Sequence, residues 1–456
     1  MQGPLTVPLS TLKQDLNAIV RAGVDAVGAA RVIERALAGA ELADVLASRP
    51  LHVVAVGKAA APMVAAFASA THLAIRQAIA IGTHADEALP ERVAWLESSH
   101  PFPDARSEAA GRRALAVAQS VHSGEALVIL LSGGASALMA APVDGISLDD
   151  KIGTTRLMMN AGADIHALNT VRRHLSNVKG GRLAAACVGS TVTLALSDVV
   201  GDDLNAIGSG PGVPDSTTWS DAAAALDRFG GAGHLASVRA VVARGVAGEL
   251  ADTPAAGHPS LARASARVIG GRREAMAGAR AEAEARGYTV LLIDEPVVGE
   301  ARVAGPAWLA QARQLSRDVA GPVCVISGGE TTVRVTGDGL GGRNLEFVLS
   351  IAEALSGGNP SGVPVGGTGG GNPFLGLPIA AASIGTDGID GSSGVAGAIV
   401  DSTTMARAAQ GGLELPGHYL AANNSLAFFA LLGDVIRLGR TQTNVGDLQA
   451  IVIHEP

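Results

Sequence analysis

Short apolar runs that end at glycine and lead into alanine-rich helical stretches recur along this chain, and that alternation restricts its fold more than any other feature. Leu51–Val56 (LHVVAV) breaks at Gly57 into KAAAPMVAAFASA, and comparable runs are Ala78–Ile81, Ala126–Leu131, Val192–Leu196, Val290–Ile293, Val323–Ile326 and Ala380–Ile384. Between most of them lie Ala/Arg/Leu segments with helical spacing, such as Glu108–His122 and Glu274–Arg286. Strands that are apolar at every position are buried on both faces, so the pattern predicts an α/β fold of largely parallel sheets covered by helices. The 456 residues suffice for two or three domains. The expected division is an N-terminal α/β unit over 1–240, an unassigned connecting segment over 241–284 and a second α/β unit over 285–456. Residues 245–262 read as a surface loop or crossover, and the Gly/Pro-rich residues 356–378 as a loop between a helix and the next strand. There is no internal repeat.

Composition excludes several functions. Aromatic residues are 3% of the chain and the net charge is −8, which argues against a stacking platform for single strands and against phosphate-backbone binding. An acidic balance still permits a small anionic substrate in a locally basic cleft. Cys187 and Cys324 lack metal-type spacing and suggest neither a disulfide framework nor a zinc site. The first residues, MQGPLTVPLSTLKQDL, do not read as a secretory signal, and no run of 18 apolar residues occurs, so a cytoplasmic protein is expected. Only four of the 34 basic residues are lysines, at 13, 58, 151 and 179, so a lysine inside a Gly-rich motif points to a need for its compact, three-donor ammonium.

Several motifs carry candidate chemistry. In VAVGKAAAPM, Lys58 stands at the mouth of a helix after one glycine, where amides and an ammonium suit a phosphate or carboxylate. In LLSGGASALM, an apolar strand leads into Ser132-Gly133-Gly134-Ala135-Ser136, whose small residues permit close approach by a ligand. The segment ALNTVRRHLSNVKGGRLA gathers Asn169, Arg172, Arg173, His174, Ser176, Lys179 and Arg182, an anion-binding cluster or a solvated basic helix. Asp198 follows the next strand and is a candidate metal ligand or proton acceptor, whereas one of Asp202 and Asp203 is expected to do no more than cap. A second Ser-Gly-Gly run, Ser327-Gly328-Gly329-Glu330-Thr331, echoes the first, and Gly341-Gly342-Arg343-Asn344 opens a helix with charge supplied by Arg343. Thr386, Asp387 and Asp390 cluster past a further strand and suit a small cation, a hydroxyl contact or only an Asp-Gly turn. Thr443-Asn444-Val445-Gly446-Asp447 precedes the last strand, and among the histidines only His100 and His174 keep interesting company, each with a structural reading first.

Together these segments, from VGKAA, ESSHPFPD and LSGGASALM through LNTVRRHLSNVKGGRLA, SDVVGDDLNAIGSGP, SGGETTV, GGRNLEF and GTDGIDGSSG to TNVGDL, resemble the glycerate kinases that phosphorylate the 2-hydroxyl and end in a MOFRL domain. The resemblance implies two three-layer α/β/α domains, the first Rossmann-like, with the active site in the interdomain cleft. It implies transfer from ATP to D-glycerate, giving 2-phosphoglycerate and ADP, with a divalent cation such as Mg²⁺. Lys58 and Arg343 match the family's catalytic pair, and the Ser-Gly-Gly segments, with Asn344 beside the second, would line the nucleotide and phosphate region. On that footing Asn169, Arg172, Arg173 and Lys179 are expected at the substrate carboxylate. Asp198, Asp387 and Asp390 are expected at the metal, with Asp198 the alternative acceptor of the hydroxyl proton. Members of this family are also described as hydroxypyruvate reductases, so NAD(P)H-dependent reduction is the rival chemistry, although no G-x-G-x-x-G follows a strand here. A non-catalytic nucleotide-responsive binding protein is the third reading. Neither nucleic acid nor membrane is an expected partner, and homodimer pairing stays open.

Overall fold

The computed structural model describes residues 8–46, 49–85, 88–356 and 377–454, and its contacts divide the chain into two units. The first unit, Ala29–Ile269, is built on β1 (Leu51–Val56), β2 (Ile75–Gly82), β3 (Val93–Glu97), β4 (Ala126–Leu131), β5 (Ser190–Leu196) and β6 (Ala264–Gly270). Their order across the sheet is β3-β2-β1-β4-β5-β6. β1 pairs in parallel with β2 on one side and with β4 on the other, Leu51 opposite Ala126 and Val56 opposite Leu131. Both strands are buried along their whole length, as their unbroken apolar runs require. Val54 and Val56 join Ala110, Ala114 and Val117 of the helix Ala105–Gln119 in one core cluster. The helix Ala60–Ala70, which leaves β1, packs against β1, β2 and β4 and against the helix Ala29–Leu37. Four further helices, Leu148–Asn160, Ile165–His174, Trp219–Arg228 and Ala236–Val246, form a separate cluster around the buried Trp219.

The second unit comprises residues up to Gly28 together with Gly270–Pro456. Its strands are β7 (Thr289–Leu292), β8 (Val297–Glu300), β9 (Val323–Thr332), β10 (Ile379–Gly385), β11 (Gly397–Asp401), β12 (Val435–Ile436) and β13 (Asp447–Ile453). The sheet order is β12-β11-β10-β13-β9-β7, with β8 also paired to β9. This sheet is mixed: β9, β13, β10, β11 and β12 pair antiparallel, and only β7 and β8 run parallel to β9. The expectation of largely parallel pairing therefore fails here, because an unbroken apolar strand reports two-sided burial and not direction. Alternate residues serve the two faces. Cys324 and Ile326 pack with the helices Leu9–Ala26 and Arg272–Ala285, and Val323 and Val325 with Ala301–Ser316 and Arg343–Leu355.

The grouping of 1–28 with an N-terminal unit is corrected by these contacts. Helix Leu9–Ala26 buries Leu12, Leu16, Ile19 and Val20 in the second unit's core, and Lys13 sits 2.7 Å from both Asp401 and Asp434. Within the segment expected to connect the domains, β6 closes the first sheet and Arg272–Ala285 opens the second unit. The predicted loop at 245–262 is largely irregular, with only a short turn of 3₁₀ helix at Pro259–Leu261 after the helix ending at Val246. Most of the loop expected at 356–378, residues 357–376, lies outside the described residues. Among the described residues no helix is long and apolar enough to cross a membrane, and both cysteines are free and buried.

Glycines let the first and twelfth helices of the chain approach. A Cβ on Gly278 would lie 2.4 Å from the Ala26 Cβ and 2.7 Å from the Ala22 carbonyl oxygen. Gly278→Leu should therefore force Leu9–Ala26 off the second unit and cost about 1–3 kcal/mol, lowering the apparent Tm by several degrees. Gly417→Ala, where a Cβ meets nothing within 4 Å, is the control expected to leave it unchanged. Equal melting of both variants and the parent chain would refute this packing.

Candidate functional site

The strand order of the first unit fixes where a ligand can enter. Neighbouring connections leave in opposite directions between β1 and β4, and in open α/β sheets the crevice at that switch, beyond the strands' carboxyl ends, is where ligands bind. Two turns meet there. The backbone N–H of Lys58 donates to the Gly133 carbonyl at 2.9 Å, and that of Ala59 donates to Ser132 Oγ at 3.1 Å. Gly57 has φ +130°, and a Cβ there would lie 2.1 Å from Ser132 Oγ, so only glycine permits the close turn that presents the exposed Lys58. Ser132 is fully buried and holds the two turns together, which is not the outward ligand contact expected of it. Gly133 is likewise buried, whereas Gly134 is more open, with φ +85°.

Beside Gly134 stands His100, whose first reading in the sequence is structural. A Cβ on Gly134 would come within 3.0 Å of its ring and 3.6 Å of Lys58 Cγ. Partial burial and then the Lys58 ammonium push the imidazole below its ordinary range. Its neighbours in sequence, Ser-Ser-His-Pro, gave no signal of this placement.

Ser136 begins a polar chain. Its hydroxyl lies 2.7 Å from Ser209 Oγ, which donates to Asn169 Oδ1 at 3.0 Å. Lys179, almost wholly buried, donates to the Ser136 carbonyl at 2.9 Å. Asn169 and Lys179 thus adjoin Ser136, and Arg172 is half-buried on the same helix as Asn169. Arg173 does not. It forms a buried ion pair with Asp215, itself held by the hydroxyls of Thr217 and Thr253, and this pair serves the fold. His174 packs edge-on against Trp219 and is equally structural. Lys151, passed over in the motif reading, is buried close to Arg172, and its ammonium donates to the Leu175 carbonyl at 3.2 Å. Asp198 is half-buried just past the end of β5, and Asp203 caps the turn through the Asn205 N–H.

In the second unit the resemblance between the two Ser-Gly-Gly runs breaks down. Ser327–Thr331 lie inside β9, not in a loop after it. Ser327 is fully buried, accepting from Trp308 Nε1 at 2.7 Å and donating to Gln449 Oε1 at 3.0 Å. Gly328 and Gly329 pair with Leu448 and Asp447, and a Cβ on Gly329 would fall 2.0 Å from the Val297 carbonyl oxygen, so these glycines admit strands and not phosphates. Thr331 is buried with its N–H on Asp447 Oδ2. Asn344 is no ligand contact either: its amide nitrogen bridges Asp390 and Asp447, and its oxygen accepts from Ser383 at 2.6 Å.

Arg343 opens the helix Arg343–Leu355 and is fixed from below. Its Nε lies 2.8 and 2.9 Å from the two Asp447 oxygens, and Nη1 is 3.1 Å from Glu330. Burial works against its charge, but Asp447 and Glu330 outweigh that and hold the guanidinium firmly charged. Asp447, read in the sequence as part of an uninformative motif, is the residue that aims this arginine. Asp390 is corrected from metal ligand to cap: its two oxygens take the backbone N–H groups of Asn344 and Leu345. Burial pushes its carboxyl up to about 6. Asp387 is half-buried, with Oδ1 accepting from the Ile389 N–H. Among the described residues no three His, Cys, Asp or Glu side chains cluster as a metal cage.

Comparison with known proteins follows this geometry. Residues 15–243 match a family described as a domain of unknown function, DUF4147, and residues 323–447 match the MOFRL family. A D-glycerate 2-kinase of Thermotoga maritima is 33% identical over 443 residues, spanning 96% of this chain and 97% of the relative. The chain belongs to the glycerate 2-kinase family. A glycerate 2-kinase of Pyrococcus horikoshii is 32% identical, over 88% of this chain and 87% of its own. A protein of Agrobacterium vitis with a provisional hydroxypyruvate reductase name is 37% identical, over 88% and 86%. The crystal structure of a Thermotoga maritima glycerate kinase superposes with a TM-score of 0.84 at 32% identity, covering 97% of this chain and all of the other.

The charge state of Lys151 gives a pH test. Burial first, then Arg172 and Arg182, push its ammonium from the usual 10.5 to about 7. Between those values the unfolded chain keeps a proton that the folded chain has released, so stability rises with pH through this window. In denaturant unfolding from about pH 7 to 9, the parent chain should gain on Lys151→Met by up to about 1.4 kcal/mol per pH unit. Parallel curves would mean that the ammonium is not desolvated.

Proposed function

We infer that this chain is an ATP-dependent glycerate 2-kinase, moving the terminal phosphoryl group of ATP to the 2-hydroxyl of D-glycerate to give 2-phosphoglycerate and ADP. The observation that carries the reading is the similarity to the Thermotoga maritima D-glycerate 2-kinase along nearly the whole chain. The geometry of the first unit supports it. A kinase needs positioned cations more than covalent chemistry, since the transferring group spreads negative charge over its oxygens. Lys58, at the switch between β1 and β4, supplies a compact ammonium beside the open Gly134 turn. Arg343 supplies a guanidinium whose direction Asp447 has already set, and Glu330 occupies Nη1 in a half-exposed contact that a phosphate oxygen could take over. Arg172 and Lys179 hold the substrate carboxylate.

Mg²⁺ suits the residues present only in its usual nucleotide-borne form, in which the protein supplies one or two carboxylates and phosphates and waters the rest. Within the first unit Asp198 is the carboxylate that would hold it, and its chemistry there would be to draw charge from the phosphate oxygens. Asp198 is also the nearest candidate in sequence order to take the hydroxyl proton after β5.

The rival reductase is favoured by the names of two relatives and opposed by local structure. The turn after β1 holds a single glycine followed by Lys58, and β2 ends at Gly82 where a dinucleotide fold places its ribose-binding carboxylate. Incubation with D-glycerate, ATP and Mg²⁺ should release ADP, with NMR identifying 2-phosphoglycerate. Lys58→Ala should lower kcat by about a thousandfold while melting like the parent chain, whereas Arg343→Ala should lower kcat comparably and also melt lower, because it leaves Asp447 buried and unpaired. NADH oxidation with hydroxypyruvate and no ADP release would reverse the conclusion; full activity in both variants would remove these residues from it.

A further inference from the structure

Three of the chain's four lysines lie in the first unit, and two of them, Lys151 and Lys179, are buried without an acidic partner. Each makes one hydrogen bond, to the Leu175 and Ser136 carbonyls, and an ammonium has three donors. Burial above all discourages both from carrying charge, with Arg172 adding to it at Lys151, and Lys151 and then Arg172 adding to it at Lys179. Among the described residues no carboxylate forms an ion pair with any of the three. The nearby Asp215, by contrast, is matched to Arg173.

Gathering three like charges away from water is costly unless something balances them. This chain is acidic overall and uses arginine for 30 of its basic residues, so neither charge balance nor habit accounts for the pair. An arginine could cap the Leu175 carbonyl equally well, but it would stay charged and would bring five donors in a rigid fork. Two lysines with donors to spare, beside a guanidinium, match the four lone-pair sites of one carboxylate. Ser136, Ser209 and Asn169 adjoin the same place and offer hydroxyl and amide groups suited to the neighbouring carbon's hydroxyl.

We propose that Lys151, Lys179 and Arg172 form a preformed seat for the carboxylate of a small 2-hydroxy acid, with Lys151 a substrate-binding residue and not only a helix cap. The seat rests on the glycerate kinase reading and specifies which side chains receive that substrate. It also explains why lysine is retained at 151: the site stays tolerable when empty because an ammonium can release its proton, and a guanidinium cannot.

The test uses the full-length enzyme and Lys151→Met, which keeps the length of the side chain and removes its charge. KM for D-glycerate should rise at least tenfold with KM for ATP within twofold of the parent. Apparent Tm without ligand should be equal or higher, and the thermal stabilisation given by D-glycerate should disappear. Lys151→Arg should leave KM for D-glycerate raised, since its fork cannot take the same place. A raised KM for ATP with glycerate unaffected would overturn the assignment in favour of a phosphate subsite. An unchanged KM with a lower Tm would reduce Lys151 to a cap of the Leu175 carbonyl and overturn it too. ADP release by the parent chain with glycerate separates these failures from failure of the kinase reading itself, which would show as no release at all.

Discussion

Two hydrogen bonds from backbone N–H groups, one to a carbonyl and one to a side-chain hydroxyl, tie the turn after β1 to the turn after β4 and are the constraint on which the first unit's candidate site depends. A parallel sheet delivers every strand's carboxyl end to one edge, but only at the switch in strand order do the connections part and leave room. Lys58 N–H on the Gly133 carbonyl and Ala59 N–H on Ser132 Oγ close the two turns onto each other at that place. The clasp needs a residue without a side chain at 57 and a small buried hydroxyl at 132. With those two conditions met, the direction of the Lys58 stem follows from the backbone, and Gly134 and His100 are brought beside it.

The two units treat cations in opposite ways. In the second, Arg343 has Asp447 and Glu330, Lys13 has Asp401 and Asp434, and Arg302 has the buried Glu346. In the first, Arg173 alone of its basic segment has a buried carboxylate, while Lys151, Lys179 and Arg172 are set against one another. Matched pairs give rigidity, because removing either partner leaves an uncompensated buried charge. Unmatched cations give affinity for an anion, because the ligand supplies the partner that the fold withholds. A guanidinium held at a fixed angle by a carboxylate and buried ammoniums without an ion-pair partner are therefore electrostatically different arrangements.

The strands, the glycine breaks and the position of Lys58 at a strand's carboxyl end are legible in the sequence, because these rest on local rules. LHVVAV and ALVILL became β1 and β4 at the predicted residues. What it could not reveal depends on partners distant in sequence. Ser132-Gly133-Gly134 and Ser327-Gly328-Gly329 look alike, yet the first follows a strand and the second lies within one, because β8 and β13 come to pair beside it. Asp390 reads as a ligand and Asp447 as nothing in particular, and it is the arrival of the Arg343–Leu355 helix end that makes one a cap and the other an anchor. Parallel direction was over-read for the same reason: burial on both faces leaves its mark on composition, and strand direction does not.

The carboxylate network around Asn344 shows why such distant partners matter to reactivity. Asn344 Nδ2 links Asp390 and Asp447, whose burial pushes both carboxyls above their ordinary range. Asp390 is relieved by two backbone N–H groups at the start of a helix, where partial positive charge favours an anion. Asp447 is relieved chiefly by Arg343, which in turn owes its fixed direction to that carboxylate. Each group is thus held in its charge state by the next, so the guanidinium cannot swing away without leaving Asp447 buried and unpaired. An arginine under that restraint has its direction set by the fold itself, and the entropy of fixing it is lost on folding.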